Sequence, residues 1–125
     1  MVNAEFMRLE DGNIRLVMKG HSTLKSCGQS IVCASISTVF YTLIGYLKNT
    51  FGAKFKILRL NPGDIDILCD NLGGEAFRMA CIGLLQISEL FPTEISVINR
   101  VWESRLCAVP DFDITGFNFE EEIYE

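Results

Sequence analysis

From Ser30 to about Asn49 the chain is strongly apolar, with Ile36, Val39, Phe40, Leu43, Ile44 and Leu47 at helical spacing. A helix of this kind must cover one face, so the rest of the chain has to supply the surface that covers it. Ser30 suits the N-cap, because its hydroxyl can accept from the first unpaired backbone N–H groups. Gly52 lies just past the expected end, where a left-handed cap residue would serve. The apolar stretch from Ile31 to Leu47 is shorter than the roughly 20 residues of a membrane span, and Ser35, Ser37, Thr38 and Thr42 dilute it. A buried helix is therefore expected, with no membrane partner.

The flanking segments read as partners for that helix. Residues 2 to 9 and 13 to 20 alternate loosely around the turn signal Asp11-Gly12-Asn13 and predict a β-hairpin, with Ile14, Leu16 and Met18 on one face. Lys54 to Leu60 and Asp64 to Cys69 predict two strands about Asn61-Pro62-Gly63-Asp64, a turn with Pro and Gly at its centre. From Gly74 to Leu90, Phe77, Ala80, Cys81, Leu84, Leu85 and Ile87 recur at helical spacing. Pro92 ends that helix, and Glu94 to Val101 resumes as a strand. The order ββαββαβ predicts an α+β fold: an antiparallel or mixed sheet with two helices packed over one face.

Length and charge divide the chain. At 125 residues it is one domain, and 49% hydrophobic residues with nine phenylalanines are ample for a core. Residues 103–125 hold seven acids against Arg105, so the first 102 residues sum to +1 of the overall −5. Residues 1–102 are thus read as the working domain and 103–125 as its acidic C-terminal extension, in which Phe112, Phe117, Phe119 and Tyr124 stand among acids. A near-neutral body with an acidic tail argues against direct nucleic-acid binding, which needs clustered Lys and Arg. The five cysteines (Cys27, Cys33, Cys69, Cys81, Cys107) are odd in number and lack CxxC spacing. With a single histidine they form no recognisable ligand set, so neither a metal nor another cofactor is expected. Cys69 and Cys81 lie in apolar runs and read as buried small hydrophobes. No basic-then-apolar leader pattern opens the sequence, and reduced thiols in a cytoplasmic setting fit this usage best.

The only histidine, His21, stands twelve positions before Cys33 and follows the second predicted strand at once. Cys33 falls at about the third position of the first predicted helix. An ordinary thiol is only a few per cent ionised at neutral pH, and the partial positive charge of a helix N-terminus favours the thiolate. An imidazole within reach could pair with it and later protonate a leaving amine. Backbone N–H groups at the same helix end, around Cys33 and Ala34, could bind the oxyanion of a tetrahedral intermediate. One strand–loop–helix joint could thus supply the parts of a cysteine hydrolase. Spacing alone permits a blander reading as well, with Cys33 filling the packed face of the helix and His21 a polar strand end. A third reading makes Cys27 and Cys33 a redox pair.

The stretch Gly20-His21, then Gly28, Ile31-Val32-Cys33-Ala34 and Ser37, resembles the signature of the bacterial ribosomal-processing cysteine proteases. That pattern runs Gly-His-Ala, a short flexible loop, then Gly-x-Asp-Ile-Val-Cys-Ala. Leu90-Phe91-Pro92 and Glu94-Ile95-Ser96-Val97 resemble the closing helix and strand of the same family, so the likeness spans roughly residues 3 to 100. The resemblance implies a homodimeric cysteine endopeptidase that trims the N-terminal extension of a large-subunit ribosomal protein (number twenty-seven), with His21 and Cys33 as the dyad. It also implies a mobile loop at residues 22–28 that closes on the bound peptide, with Ser22, Gly28 and Ser30 contacting loop or substrate. Two positions depart from the pattern. Ser22 replaces alanine, and Ser30 replaces aspartate, which removes a negative charge three residues before the thiol. The serine motivates an alternative, a dimeric relative that binds a ribosomal-protein peptide without cleaving it.

Overall fold

The computed structural model describes residues 1–21, 31–50 and 52–102. Its elements run β1 (Val2–Arg8), β2 (Ile14–Lys19), α1 (Ile31–Lys48), β3 (Phe55–Asn61), β4 (Asp64–Cys69), a 3-10 turn (Asn71–Gly73), α2 (Gly74–Leu90) and β5 (Ile95–Arg100). The ββαββαβ order and the α+β class expected from the periodicities are what the chain adopts. The sheet is mixed, in the order β3-β4-β2-β1-β5, with antiparallel neighbours except for the parallel pair β1–β5.

Strand register explains the single core. Ala4 opposes Met18, Phe6 opposes Leu16, Leu16 opposes Ile67, and Val2 opposes Ile95. Alternation then places Val2, Ala4, Phe6, Ile14, Leu16, Met18, Ile67, Cys69 and Ile95 on one face, where all are buried. Six residues of α1 (Val32, Ile36, Phe40, Leu43, Ile44 and Leu47) join them, as do Ala76, Phe77, Ala80, Cys81, Leu84 and Ile87 of α2. By length and composition α1 could cross a membrane, yet this stripe is committed to the core. Phe6 and Phe77 meet edge to face with centroids 6.3 Å apart, and Trp102 closes on Phe6 at 5.7 Å.

Both hairpin turns follow their residues. Gly12 and Gly63 take φ of +88° and +74°, which the β-carbon of other residues disfavours. At Gly63 this is the third position of Asn61-Pro62-Gly63-Asp64, where a Pro-Gly turn calls for positive φ. Gly52 is also left-handed, at +86°, four residues past the end of α1.

A register shift between Ile57 and Arg59 interrupts β3. Without it, strict alternation would carry Arg59 to the core face opposite Ile65. With it, Arg59 opposes Asp66 on the outer face and Leu60 opposes Ile65. Asp66 is fully buried there under two guanidiniums. Arg15 grips it in a fork, Nε donating to Oδ1 at 2.8 Å and Nη2 to Oδ2, while Arg59 Nη2 lies 3.2 Å from Oδ2. The hydrogen bonds from Arg15 hold the Asp66 carboxyl below its ordinary value, outweighing burial, and the charges of Arg15, Arg59 and Lys19 reinforce them.

A depressed carboxylate contributes stability that is complete above the ordinary value of about 3.9 and is lost as pH falls through the lower folded-state value. Asp66→Asn is therefore expected to cost about 1–3 kcal/mol at pH 7, less than for a wholly buried pair because both guanidiniums reach solvent. Urea titrations of both proteins test this. The gap between their midpoints should persist at pH 5 and close only in acid below about pH 4.

Candidate active site

His21 leaves the sheet at a point held from three sides. Gly20 has φ +106°, and a β-carbon there would overlap the Met1 carbonyl oxygen, so only glycine fits the strand exit. The Met1 nitrogen donates to the His21 carbonyl oxygen at 2.9 Å, which extends the β1–β2 ladder by one step. Gly20 N–H donates to the Gly63 carbonyl oxygen at 3.0 Å, tying the exit to the β3–β4 turn. The imidazole itself is exposed to solvent.

Cys33 is the third residue of α1 and is exposed, whereas Val32 and Ile36 beside it are buried. This excludes the reading in which Cys33 fills the packed face of the helix. Cys33 and Ala34 both lie in the first turn of α1, the helix end at which oxyanion donors were expected. Cys69 and Cys81 differ from Cys33 in kind. Burial pushes the Cys69 thiol up to about 12, with help from the Asp70 charge, and burial alone pushes Cys81 to about 11. Neither can supply a thiolate at neutral pH.

His21 and Cys33 line one pocket of about 340 Å³. Its walls come from the end of β2 and the strand exit (Met18, Gly20), one flank of α1 (Ile36, Ser37, Phe40, Tyr41), the β3–β4 hairpin (Leu60, Asn61, Pro62, Gly63, Ile65) and Val2. The lining is largely apolar, with the imidazole and the thiol among its polar groups. A cleft of this size and lining can take an extended apolar segment beside a thiol and an imidazole.

The α1 flank and the hairpin wall were not expected from the sequence. Residues 60–65 were legible as a turn and strand start, but their approach to His21 depends on the β2–β4 pairing. Of the residues expected to contact loop or substrate, Ser22, Gly28 and Ser30 lie outside the described residues, as do the rest of the loop 22–28, the N-cap role of Ser30, Cys27 and the extension 103–125.

Comparison with known proteins bears on the family and the fold. The family model described as cysteine protease Prp matches residues 1–96. No curated protein matches the sequence. Among solved structures, the ribosomal processing protease Prp of S. aureus, in complex with a covalently linked product peptide, superposes with a TM-score of 0.70 at 18% identity. The match covers 80% of this chain and 100% of that one. The same protease with a substrate peptide gives 0.64 at 19% identity over the same shares. A Streptococcus mutans protein gives 0.63 at 20% identity, covering 80% of this chain and 94% of its own. At these identities the structures show a shared fold, while the family model spans most of the sequence and carries the assignment: the chain belongs to the cysteine protease Prp family.

Proposed function

We propose that this chain is a cysteine endopeptidase that removes the N-terminal extension of large-subunit ribosomal protein number twenty-seven, with Cys33 as nucleophile and His21 as acid and base. The observation that carries the reading is the shared pocket: the only histidine and a thiol in the first turn of α1 open into one apolar cleft. The Cys33 thiolate attacks the scissile carbonyl carbon, and the backbone N–H groups of Cys33 and Ala34 receive the developing oxyanion. The His21 imidazolium gives its proton to the leaving amine, which departs as the C–N bond breaks. Water then attacks the thioester carbonyl and gives a proton to His21; the C–S bond breaks, the carboxylic product leaves, and the thiolate–imidazolium pair is restored. Phe40, Tyr41, Leu60 and Pro62 offer apolar and aromatic surface to peptide side chains beside the bond. The proposal includes a cytoplasmic homodimer that works without a cofactor and without touching nucleic acid.

Incubation with the host's own ribosomal protein tests it, once that protein has been checked for an N-terminal extension. Mass spectrometry should show one shortened product and one released peptide. A host protein with no extension, or an extended one left intact, would remove the substrate assignment. Ser30, where the family pattern has aspartate, favours a second reading in which the pocket binds the peptide without cleaving it. Saturable binding of the extended peptide with no product would establish that reading instead.

A further inference from the structure

We propose that Gly63, in the β3–β4 turn, is a positioning residue for His21, giving the imidazole a bare backbone surface to rest on. The inference rests on the acid–base role proposed above for His21. A β-carbon on Gly63 would overlap the ring at Nε2 and Cε1 and would stand 3.1 Å from Cδ2. The far edge of the ring therefore lies directly over the Gly63 backbone. The Gly63 carbonyl oxygen takes the hydrogen bond from Gly20 N–H, the residue before the histidine. The His21 ring and the Gly20 N–H just before it are thus both referenced to one residue, more than forty positions away in sequence. An exposed imidazole on a strand exit would otherwise sample its rotamers freely. Blocking one side of that range with backbone narrows it without a bulky neighbour entering the cleft.

Gly63 is glycine for two separable reasons. Its φ of +74° disfavours any β-carbon, and the ring occupies the place where one would go. Gly12 provides the comparison, because it has φ +88° but its nearest neighbour to an added β-carbon is Asn71 Nδ2 at 3.9 Å. Substitution at Gly12 carries the backbone penalty alone. Substitution at Gly63 carries the penalty and displaces the ring. Asparagine tolerates positive φ better than other β-carbon residues, so Gly63→Asn isolates the contact best.

The test compares Gly63→Asn with Gly12→Ala in the full chain by three measurements. With the extended ribosomal peptide, Gly63→Asn should lower kcat by about 10- to 100-fold and change KM by less than about threefold, while Gly12→Ala leaves both at the parent values. Because the chain has one histidine, its ring Cε1 proton gives a single NMR line. That line should move in Gly63→Asn and stay in place in Gly12→Ala. In a double-mutant cycle, Gly63→Asn should lower Tm less in a His21→Ala background than in the parent, because the ring it displaces is gone. An unmoved histidine line together with additive Tm changes would overturn the proposal. If the parent cleaves nothing, the proposed activity fails, while the NMR line and the Tm cycle still decide the role of Gly63.

Discussion

Cys33→Ala is expected to abolish peptide cleavage, a loss of at least about 10⁴-fold in kcat, while the protein stays folded. Removing a nucleophile leaves only what binding and the oxyanion donors contribute. Cys33→Ser should be nearly as inactive, since a hydroxyl is far harder to ionise than a thiol beside the same base. The structure makes the result interpretable: Cys33 is exposed and its α1 neighbours Val32 and Ile36 carry the packing. An exposed substitution of this kind should move Tm by less than about 3 °C. Steady-state cleavage beside a thermal melt checks both halves. Cleavage by Cys33→Ala at the parent rate would sink the mechanism outright.

His21→Ala should lower kcat by about 10²- to 10⁴-fold, the usual contribution of a positioned acid–base group. Under the proposed mechanism it should also slow the alkylation of Cys33 by iodoacetamide at neutral pH, because the base assigned to the thiol is gone. Peptide mapping by mass spectrometry keeps that measurement specific in a chain with five cysteines. Cys69 and Cys81 should stay unlabelled in the folded protein, since burial both shields them and keeps them protonated. The ladder bond from Met1 goes to the His21 carbonyl oxygen and survives the substitution, so the strand exit is retained. Equal alkylation rates in the parent and His21→Ala would show that ring and thiol do not work as a pair.

How far the sequence carried these expectations depended on the range of each signal. Both helices were legible because their apolar spacing is local: α2 spans Gly74–Leu90 as the repeat of Phe77, Ala80, Cys81 and Leu84 requires. The hairpins were legible from Asp11-Gly12-Asn13 and Pro62-Gly63, whose backbone demands are also local. Strand order was not, because the β2–β4 and β1–β5 pairings join segments that no short window contains. The shift in β3 was not legible for a subtler reason. Ile57 and Leu58 are both apolar, so alternation there allows two registers, and the pairings of Arg59 with Asp66 and Leu60 with Ile65 show which is used. At the site, Gly-His and Ile-Val-Cys-Ala pointed to a thiol and an imidazole, and the structure brings both residues to one pocket. The wall from Leu60 to Ile65 was invisible because tertiary pairing brings it there.

The parallel pair β1–β5 governs when the cleft can exist. Val2 opposes Ile95, 93 positions later, and its N–H donates to the Glu94 carbonyl oxygen at 2.8 Å. Closing so long a loop is slow compared with forming either hairpin. A ribosome emits the chain from its N-terminus, so β1 waits for β5 throughout synthesis. Val2 also lines the pocket, and its N–H finds its partner only when β5 docks beside it. That one wall of the cleft therefore waits on the last strand of the sheet to be synthesised.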